Sequence, residues 1–311
     1  MLTRRTVLKT SVSALALAAC ATARLCADEE TAAPDPREAR IALNTATIIY
    51  KNLPIDEQIR LVHEAGFRNI EIWFRDVDQF LASGGTLAAL RTQLDDCGMR
   101  VVGGINFIAW GHPEEEARRK ALDEMRRAME QMKALGGSAL AASPSGVFRN
   151  PDVTLAELAE RYRAVLELGD QFEITPQLEI WGAGPTLMKL SDAVWIATEA
   201  AHPRASLLLD VYHLYRSGND FASLRQLNGR QLPNFHWNDW PGGRERLTLQ
   251  DSDRVLPGEG VAPLKEVSAL LDEIGFAGTY SLEIFNKPFC ENHDTPELLK
   301  LAYAAMKKNV F

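Results

Sequence analysis

Four ionisable residues interrupt apolar runs in the second half of this 311-residue chain. Glu179 lies in QLEIW, Asp210 ends SLLLDV, His236 lies in NFHW and Glu283 lies in SLEIF. Three carboxylates buried together without a counter-charge would be very unstable. A divalent cation removes that difficulty, and three carboxylate oxygens with one imidazole nitrogen suit Mn²⁺, Co²⁺, Mg²⁺ or Zn²⁺. The set therefore predicts one bound divalent cation, with Mn²⁺ as the first choice and coordination positions left for substrate oxygens.

Strand-like apolar runs alternate with helical patterns after residue 40. The predicted strands are 41–47, 70–74, 101–107, 138–143, 177–181, 206–211, 232–237 and 280–285. The predicted helices lie near 55–65, 86–97, 113–135, 152–172, 186–201, 219–227, 263–274 and 295–309. Eight strands, each followed by a helix, predict an α/β fold, a single (βα)8 TIM barrel over residues 41–311. An open doubly wound sheet is the alternative, but no G-x-G-x-x-G loop follows the first strand.

The spacing of the four ionisable residues fits such a barrel. Successive members are 31, 26 and 47 residues apart, about one strand–helix unit each with a longer loop in the last. This spacing puts the side chains on strands five to eight near the C-terminal face, where barrel enzymes keep their active sites. A single Asp or Glu at a strand end is usually a loop cap, so the prediction depends on the ordered set of four.

Several segments around these residues resemble the inosose isomerase (2-keto-myo-inositol isomerase) family, which lies within the xylose-isomerase-like superfamily of TIM-barrel sugar phosphate isomerases and epimerases. The similarity is strongest in LLLDVYHLYRSGNDFASLRQLNG, in NFHWND, in LTLQDSDRVLPGEGVAPLKEV and in GFAGTYSLEIFNKPF. The opening strand ALNTAT also resembles the first strand of that family. The resemblance covers essentially the whole chain after its N-terminal segment.

The resemblance implies roles for particular residues. It implies that Glu179, Asp210, His236 and Glu283 bind the metal, and that Glu179 and Glu283 also act as the acid/base pair. It further implies that His213 contacts the substrate. Arg254, in DSDRVLPGEG, matches a residue that reaches into the site from the loop after strand seven. The chain departs from the family in its N-terminal segment and in SALAASPSG, which is only loosely similar, so the resemblance does not identify the substrate.

Other residues near the predicted strand ends have two interpretations each. Asn44, Glu71 and Trp181 are candidate substrate contacts. The alternative for Asn44 is packing in the floor of the barrel. The alternatives for Glu71 are support of the metal ligands and a salt bridge with a helix. Trp181, like Trp73 and Trp237, otherwise packs in the core. The remaining histidines are predicted to be structural or on the surface: His63, His112, His202 and His293.

The predicted chemistry is proton transfer next to a carbonyl group. A metal chelated by a carbonyl oxygen and the adjacent hydroxyl would acidify the α-proton, and a carboxylate would remove it to give a cis-enediolate. Returning the proton isomerises or epimerises a keto-sugar or inosose. The same enediolate can expel a β-substituent, so a metal-dependent lyase, dehydratase or hydratase of 3-keto-sugars or related cyclic ketones is the alternative. A non-catalytic sugar-binding lipoprotein would keep the cleft and lose the acid/base pair, which this chain retains.

The first 27 residues read as an export signal of the twin-arginine type. Paired Arg4 and Arg5 precede a short apolar stretch, and no acidic residue occurs before Asp28. The stretch LAAC also resembles a lipobox that would place a lipid anchor on Cys20, with cleavage by ordinary signal peptidase near Ala27 as the alternative. Residues 28–40 read as a polar linker. The expected location is therefore the periplasm or the cell envelope.

Charge and cysteine usage limit the partners. Removing residues 1–27 takes away four basic residues and no acidic one, so the formal charge falls from −8 to −12. An acidic protein repels phosphate backbones, which argues against nucleic acid as a partner and against an endonuclease-type function for the barrel. A small sugar or cyclitol is the expected ligand, the membrane is reached only through an anchor on Cys20, and a homo-oligomer stays open. Cys97 and Cys290 either pair or are one surface and one buried thiol.

Overall fold

The computed structural model describes residues 36–310, and eight parallel strands form its centre. The strands are β1 (Ile41–Asn44), β2 (Asn69–Trp73), β3 (Arg100–Ile105), β4 (Ala139–Ala142), β5 (Thr175–Glu179), β6 (Ser206–Asp210), β7 (Asn234–Trp237) and β8 (Thr279–Leu282). Their hydrogen-bonded order is β3-β2-β1-β8-β7-β6-β5-β4. Pairing of β1 with β8 curls the sheet into a nearly closed barrel and confirms the predicted fold class.

Side chains bridge the one junction of the barrel without a backbone ladder among the described residues, between β3 and β4. The Asn106 side-chain amide donates to the Ala141 carbonyl at 2.7 Å. Just beyond the strands, the Trp110 indole donates to the Ser143 carbonyl at 2.6 Å. These bonds satisfy carbonyls that the missing ladder would leave unpaired.

Helices surround the strands. They are α1 (Ile55–Glu64), α2 (Phe74–Ala82), α3 (Leu87–Asp96), α4 (Glu115–Ala134), α5 (Leu155–Phe172), α6 (Leu190–Glu199), α7 (Val211–Arg216), α8 (Leu264–Glu273), α9 (Lys287–Asn292) and α10 (Thr295–Asn309). Short 3-10 helices lie at Glu38–Arg40, Thr45–Lys51, Phe221–Gln226, Gly229–Gln231, Arg246–Thr248 and Asp251–Asp253. The sequence did not predict α2, α7 or α9, and the helix predicted near 219–227 is the 3-10 helix Phe221–Gln226.

Local chemistry explains where these elements begin. Thr154 caps α5 through a capping box with Glu157, which satisfies free N–H groups of the first turn. In α4 an apolar stripe at helical spacing is buried at Met125, Met129 and Met132. The helix begins at Glu115, two residues later than the predicted start.

Seven of the eight strands end one to three residues earlier than predicted, and two of these ends bear on the site. The β1 strand stops at Asn44 because the Asn44 side chain accepts a hydrogen bond from the Ala46 N–H and starts the 3-10 helix that follows. The β8 strand stops at Leu282, so Glu283 lies one residue beyond it. A residue just past a strand end faces the C-terminal mouth of the barrel.

The predicted export signal over residues 1–27, the lipid anchor on Cys20 and most of the predicted linker lie outside the described residues. Within residues 36–310 no helix is long and apolar enough to span a membrane. Cys97 and Cys290 are both free thiols, and Cys290 is the buried one, as one of the two alternatives predicted.

Candidate active site

The four predicted metal ligands lie at the C-terminal ends of adjacent strands. Glu179 and Asp210 are the last residues of β5 and β6, His236 lies in β7, and Glu283 directly follows β8. The register pairs Asp210 with His236, which places the two side chains on neighbouring strands at the same height. All four residues are buried. The four side chains thus lie at the C-terminal ends of four adjacent strands.

Three of the four form a compact cluster. Asp210, His236 and Glu283 offer ligand atoms that all lie within 4.8 Å of one another. The His236 Nδ1 atom is 3.2 Å from Glu283 Oε2 and 3.7 Å from Asp210 Oδ2. Glu179 is outside this cluster, but it lines, together with Glu283, a cavity beside the cluster. Its role as a fourth ligand stays a prediction.

The orientation of His236 fits a metal ligand. Its Nε2 atom lies 3.0 Å from Glu71 Oε2, while Nδ1 is buried without a hydrogen-bond partner and faces the two carboxylates. A metal-binding histidine characteristically donates its second ring N–H to a carboxylate and keeps the other nitrogen free for the metal. Glu71 lies inside the barrel behind His236 and does not form a salt bridge with any of the described helices. Its carboxylate also accepts hydrogen bonds from Asn44 and Ser281.

Arg254 supplies a counter-charge that the sequence argument did not foresee. Its Nη1 atom lies 3.0 Å from Asp210 Oδ2 and 2.8 Å from Glu283 Oε2. The Arg254 guanidinium therefore supplies these two buried carboxylates with a positive charge. Four carboxyl groups remain buried around one guanidinium and one imidazole, however, when Glu71 and Glu179 are included. This excess of carboxyl groups over cationic groups fits a divalent cation beside Nδ1 of His236, which would favour their ionised forms.

Burial and neighbouring charges separate the pKa values of the two predicted acid/base residues. Burial raises the pKa of Glu179 to about 8 against the opposing effect of His236. Burial would also raise the pKa of Glu283, but the charges of His236 and Arg254 outweigh it and hold this pKa well below its usual range. Burial alone would lower the pKa of His236, whereas the carboxylates of Glu283 and Glu71 raise it well above its usual value.

His213 and Arg254 meet in the cavity wall. The Gly182 N–H donates to His213 Nδ1 at 3.1 Å, and Arg254 Nη2 lies 3.0 Å from His213 Nε2. Burial, aided by the Arg254 charge, lowers the pKa of His213, which favours the neutral ring. Donors thus approach both ring nitrogens, although a neutral imidazole can accept at only one of them. The Nε atom of Arg254 is buried without a hydrogen-bond partner, so it is the free donor of this guanidinium.

A buried carboxylate fixes the loop that carries Arg254. Asp239 Oδ1 accepts from the N–H groups of Trp240 and Ala262, both at 2.8 Å, and Oδ2 accepts from those of Gly258 and Gly260, both at 3.0 Å. The Asp239 backbone also pairs with that of residue 255 in an antiparallel bridge. Asp239 thus fixes the conformation of the 255–262 loop. Because this loop directly follows Arg254, Asp239 also fixes the position of Arg254 in the site.

A cavity of about 330 Å³ opens beside the cluster. Its charged wall consists of Glu179, Asp251, Glu283, Arg149, Arg216 and Arg254. The predicted contacts His213 and Trp181 also line it. Asn44 does not: its amide donates to Glu71 and Glu283, and its oxygen accepts from Ala46 and Trp73. The substrate contacts predicted for Asn44 and Glu71 stay predictions, because both side chains lie behind the ligands.

Five aromatic rings also line this cavity. In order along the wall they are Phe285, Trp73, Phe107, Trp181 and Phe148, with successive ring centroids 4.9–6.0 Å apart. We call this set the aromatic arc. Trp237 is not part of it, since it is buried and its indole donates to the Asn309 carbonyl. His63, His112, His202 and His293 do not line the cavity, as predicted.

Sequence reasoning missed several residues of the wall. Arg216 is three residues after His213 on α7, a spacing that places both on one helical face. Phe285 follows Glu283 by two residues and Asn238 follows His236 by two, the spacing of side chains on one side of an extended chain. Asn238 donates to both oxygens of Asp210 at 3.1 Å. These spacings were visible signals, whereas Asp251 and Phe148 come from loops without one.

This chain is similar in sequence and in fold to several known proteins. The model of a family described as xylose isomerase-like TIM barrel matches residues 59–308. An inosose isomerase from Bacillus velezensis is 23% identical over 256 residues, 80% of this chain and 90% of that protein. A fructoselysine 3-epimerase from Escherichia coli O157:H7 is 24% identical over 253 residues, covering 76% and 87%. The solved structure of the IOLI protein with a zinc atom superposes with a TM-score of 0.81 at 21% identity, over 87% of this chain and 98% of that one.

Proposed function

Since this chain belongs to the xylose isomerase-like TIM barrel family, we propose that it is a divalent-metal-dependent isomerase or epimerase of a keto-sugar or inosose. The observation that carries the proposal is the buried cluster of Asp210, His236 and Glu283, with the unpartnered Nδ1 of His236 facing both carboxylates beside a ligand-sized cavity. The similarity to an inosose isomerase and to a ketose epimerase supports it.

In this proposal Asp210, His236 and Glu283 hold the cation, with Glu179 as the fourth ligand. A bound divalent cation would polarise the substrate carbonyl and stabilise negative charge on the oxygens of a cis-enediolate. Mn²⁺ is our first choice, and the zinc in the similar IOLI structure supports a divalent ion. The Glu71 carboxylate keeps the His236 ring in the orientation that presents Nδ1.

The two glutamates divide the proton transfers. Glu283 is ionised because of His236 and Arg254, so it suits removal of the α-proton. Glu179 holds a proton near neutral pH only in the cation-free site, and with the cation bound it would be ionised. It would then be the second base, which exchanges a proton on the other face or at the neighbouring carbon. Arg254, whose buried Nε–H has no partner, would donate to an oxygen on which negative charge develops, and His213 would hold the guanidinium in place.

Deuterium exchange tests the proposal. We would incubate the protein and Mn²⁺ with 2-keto-myo-inositol and a panel of keto-sugars in D₂O and follow products by proton NMR. Isomerisation or epimerisation predicts one solvent deuterium at the reacting carbon and no loss of water or of a substituent. Elimination without an isomerised product would replace the proposal with the lyase alternative. Absence of any exchange across the panel would contradict both.

We also propose that the chain is exported by its twin-arginine segment. A fusion of residues 1–40 to a reporter that is active only after twin-arginine export should reach the periplasm. Replacing Arg4 and Arg5 by lysine should retain the reporter in the cytoplasm, and export independent of this pair would contradict the proposal.

A further inference from the structure

Two arginines of the cavity wall have no acidic partner in the part of the chain that the structure describes. Arg149 and Arg216 both line the cavity, and neither forms an ion pair or a side-chain hydrogen bond there. The third arginine, Arg254, differs, because it is shared among Asp210, Asp251 and Glu283. The catalytic proposal accounts for Arg254 and leaves Arg149 and Arg216 without a role.

Arg216 is the stronger of the two observations. Its Nε atom is buried and has no hydrogen-bond partner, which is also true of Arg254 Nε. The terminal nitrogens of Arg254 are paired with acids, however, whereas no side-chain contact among the described residues pairs those of Arg216. Leaving a buried charged donor unpaired is unfavourable by more than leaving a neutral one. Arginines on the outer helices behave differently: Arg60, Arg91 and Arg163 each pair with an acid one turn away. An unpaired arginine facing a cavity therefore indicates that its acceptor comes from a ligand.

The backbone around Arg216 is fixed, so the side chain is presented from a rigid position. Its carbonyl accepts a hydrogen bond from Arg246, and the next carbonyl, that of Ser217, accepts from Lys189. On the other side α7 packs against Gly182, where a Cβ would lie 2.8 Å from Arg216 Cβ and 2.6 Å from the His213 carbonyl. Only glycine allows this close approach. Arg149 is exposed at the cavity rim, with its guanidinium 4.9 Å from the Phe148 ring centroid.

We propose that Arg216, assisted by Arg149, binds an anionic substituent of the substrate, a carboxylate or a phosphate. Guanidinium groups bind both through paired, charge-assisted hydrogen bonds. This inference rests on the proposed function, since it names the substrate class of the same site: an acidic keto-sugar rather than a neutral one. The reacting carbonyl would lie at the metal cluster and the anionic group at Arg216.

Matched ligands test the inference. D-Fructose, D-fructuronate and D-fructose 6-phosphate share the ketose and differ in having a hydroxyl, a carboxylate or a phosphate at carbon 6. Dissociation constants would be measured in the presence of Mn²⁺ from the fluorescence of tryptophan, of which Trp181 lies in the cavity wall. At least one anionic ligand should bind the wild-type protein about 10–100-fold more tightly than D-fructose. The preferred anion then distinguishes a sugar acid from a sugar phosphate.

Variants assign the preference to the two arginines. R216Q should reduce it about 10-fold or more, and R149Q by a smaller factor, because Arg149 is exposed. R216K should keep part of it, since the charge remains and the planar fork is lost. R225Q, which removes an exposed arginine paired with Glu273, is the matched control and should keep the full preference. Thermal denaturation of each variant checks that the fold is retained.

The outcomes separate this inference from the proposed function. Equal binding of the three ligands, binding of none of them, or a preference that survives in the R149Q/R216Q double variant would overturn the inference. Deuterium exchange into D-fructose with no anion preference would do so while leaving the isomerase proposal in place. An Arg216-dependent anion preference without any exchange would support the inference and count against the isomerase proposal.

Discussion

The charged cluster and the aromatic arc lie beside the same cavity, and they are built in different ways. In the charged cluster Asp210, His236 and Glu283 lie at strand ends, and Arg254 reaches the two carboxylates from a loop through buried hydrogen bonds. The aromatic arc stands mostly on loops and ranges from buried Trp73 to Phe107, which is 54% exposed. Precise chemistry is thus placed on the rigid barrel, and shape is left to parts of the chain that vary more easily.

The largest expected effect is on the charged side. Glu283→Gln removes the ionised carboxylate while keeping its shape, so kcat should fall by about 10³-fold or more, through loss of proton transfer and of a metal ligand. Steady-state kinetics would measure this, with circular dichroism to confirm the fold. Glu291→Gln, an exposed residue of α9, serves as the control. Near-wild-type activity of the Glu283 variant would remove Glu283 from the acid/base pair.

The next effect is a pH dependence of the free energy of unfolding that comes from ionisation of the buried Glu179. Its pKa in the folded, cation-free protein is about 8, above its ordinary value of 4.5. The folded state therefore holds the proton more tightly, and this stability is fully present below pH 4.5 and lost as pH rises through 8. The loss should be on the order of a few kcal/mol. Urea unfolding in EDTA at several pH values measures it.

Glu179→Gln is the matched variant for this pH dependence. Its free energy of unfolding should depend less on pH over the same window, and added Mn²⁺ should flatten the wild-type curve because a cation stabilises the carboxylate. Identical curves for wild type and variant would contradict the pKa assigned to Glu179.

A smaller effect is expected behind His236. Glu71→Gln removes the carboxylate that accepts from the His236 ring, so Mn²⁺ affinity should fall about 10–100-fold. Isothermal titration with Mn²⁺ gives the value without relying on turnover. The surface variant Glu64→Gln should bind as wild type does. Unchanged affinity in the Glu71 variant would mean that His236 does not need this partner.

The loop that carries Arg254 links the two regions. In Asp239→Asn the new amide would face two N–H donors in either orientation, so the 255–262 loop should loosen and kcat/KM should fall about 10-fold. The loss should be much smaller in an Arg254→Ala background, because Asp239 acts through Arg254. Equal losses in both backgrounds would show that Asp239 serves stability alone.

The smallest effect lies in the aromatic arc. Trp73→Phe keeps the ring stacking but loses the indole bond to Asn44, so it should reduce the free energy of unfolding by about 1 kcal/mol. Phe107→Ala, at an exposed ring, should change stability by no more than about 0.5 kcal/mol. Urea denaturation measures both. A loss of kcat in either variant as large as that of Glu283→Gln would erase the contrast between the two regions.

Much of the architecture was visible in the sequence, and the exceptions have physical causes. The alternation of strands and helices was predictable from the apolar runs, and the four ionisable residues at strand ends were visible because a charge inside an apolar strand stands out. Helix α2 was missed because β2 passes from Trp73 straight into Phe74, with no Gly, Pro or Asn to mark a boundary.

The counter-charge from Arg254 could not be predicted for a different reason. Its position depends on Asp239 capturing backbone N–H groups of residues 240–262, and backbone donors leave no pattern of side chains. The lack of an acidic partner for Arg216 likewise becomes visible only in three dimensions. The chain has many acidic residues, and the sequence does not show which arginine each of them pairs with.

The central claim is that one divalent cation binds among Asp210, His236 and Glu283. A crystal of the protein grown with Mn²⁺, with diffraction data collected at the manganese absorption edge, tests it directly. We predict a single anomalous peak bonded to His236 Nδ1 and to the carboxylates of Asp210 and Glu283, with Glu179 as the fourth ligand. An anomalous map without a peak at this cluster, with Arg254 still bridging the two carboxylates, would contradict the claim.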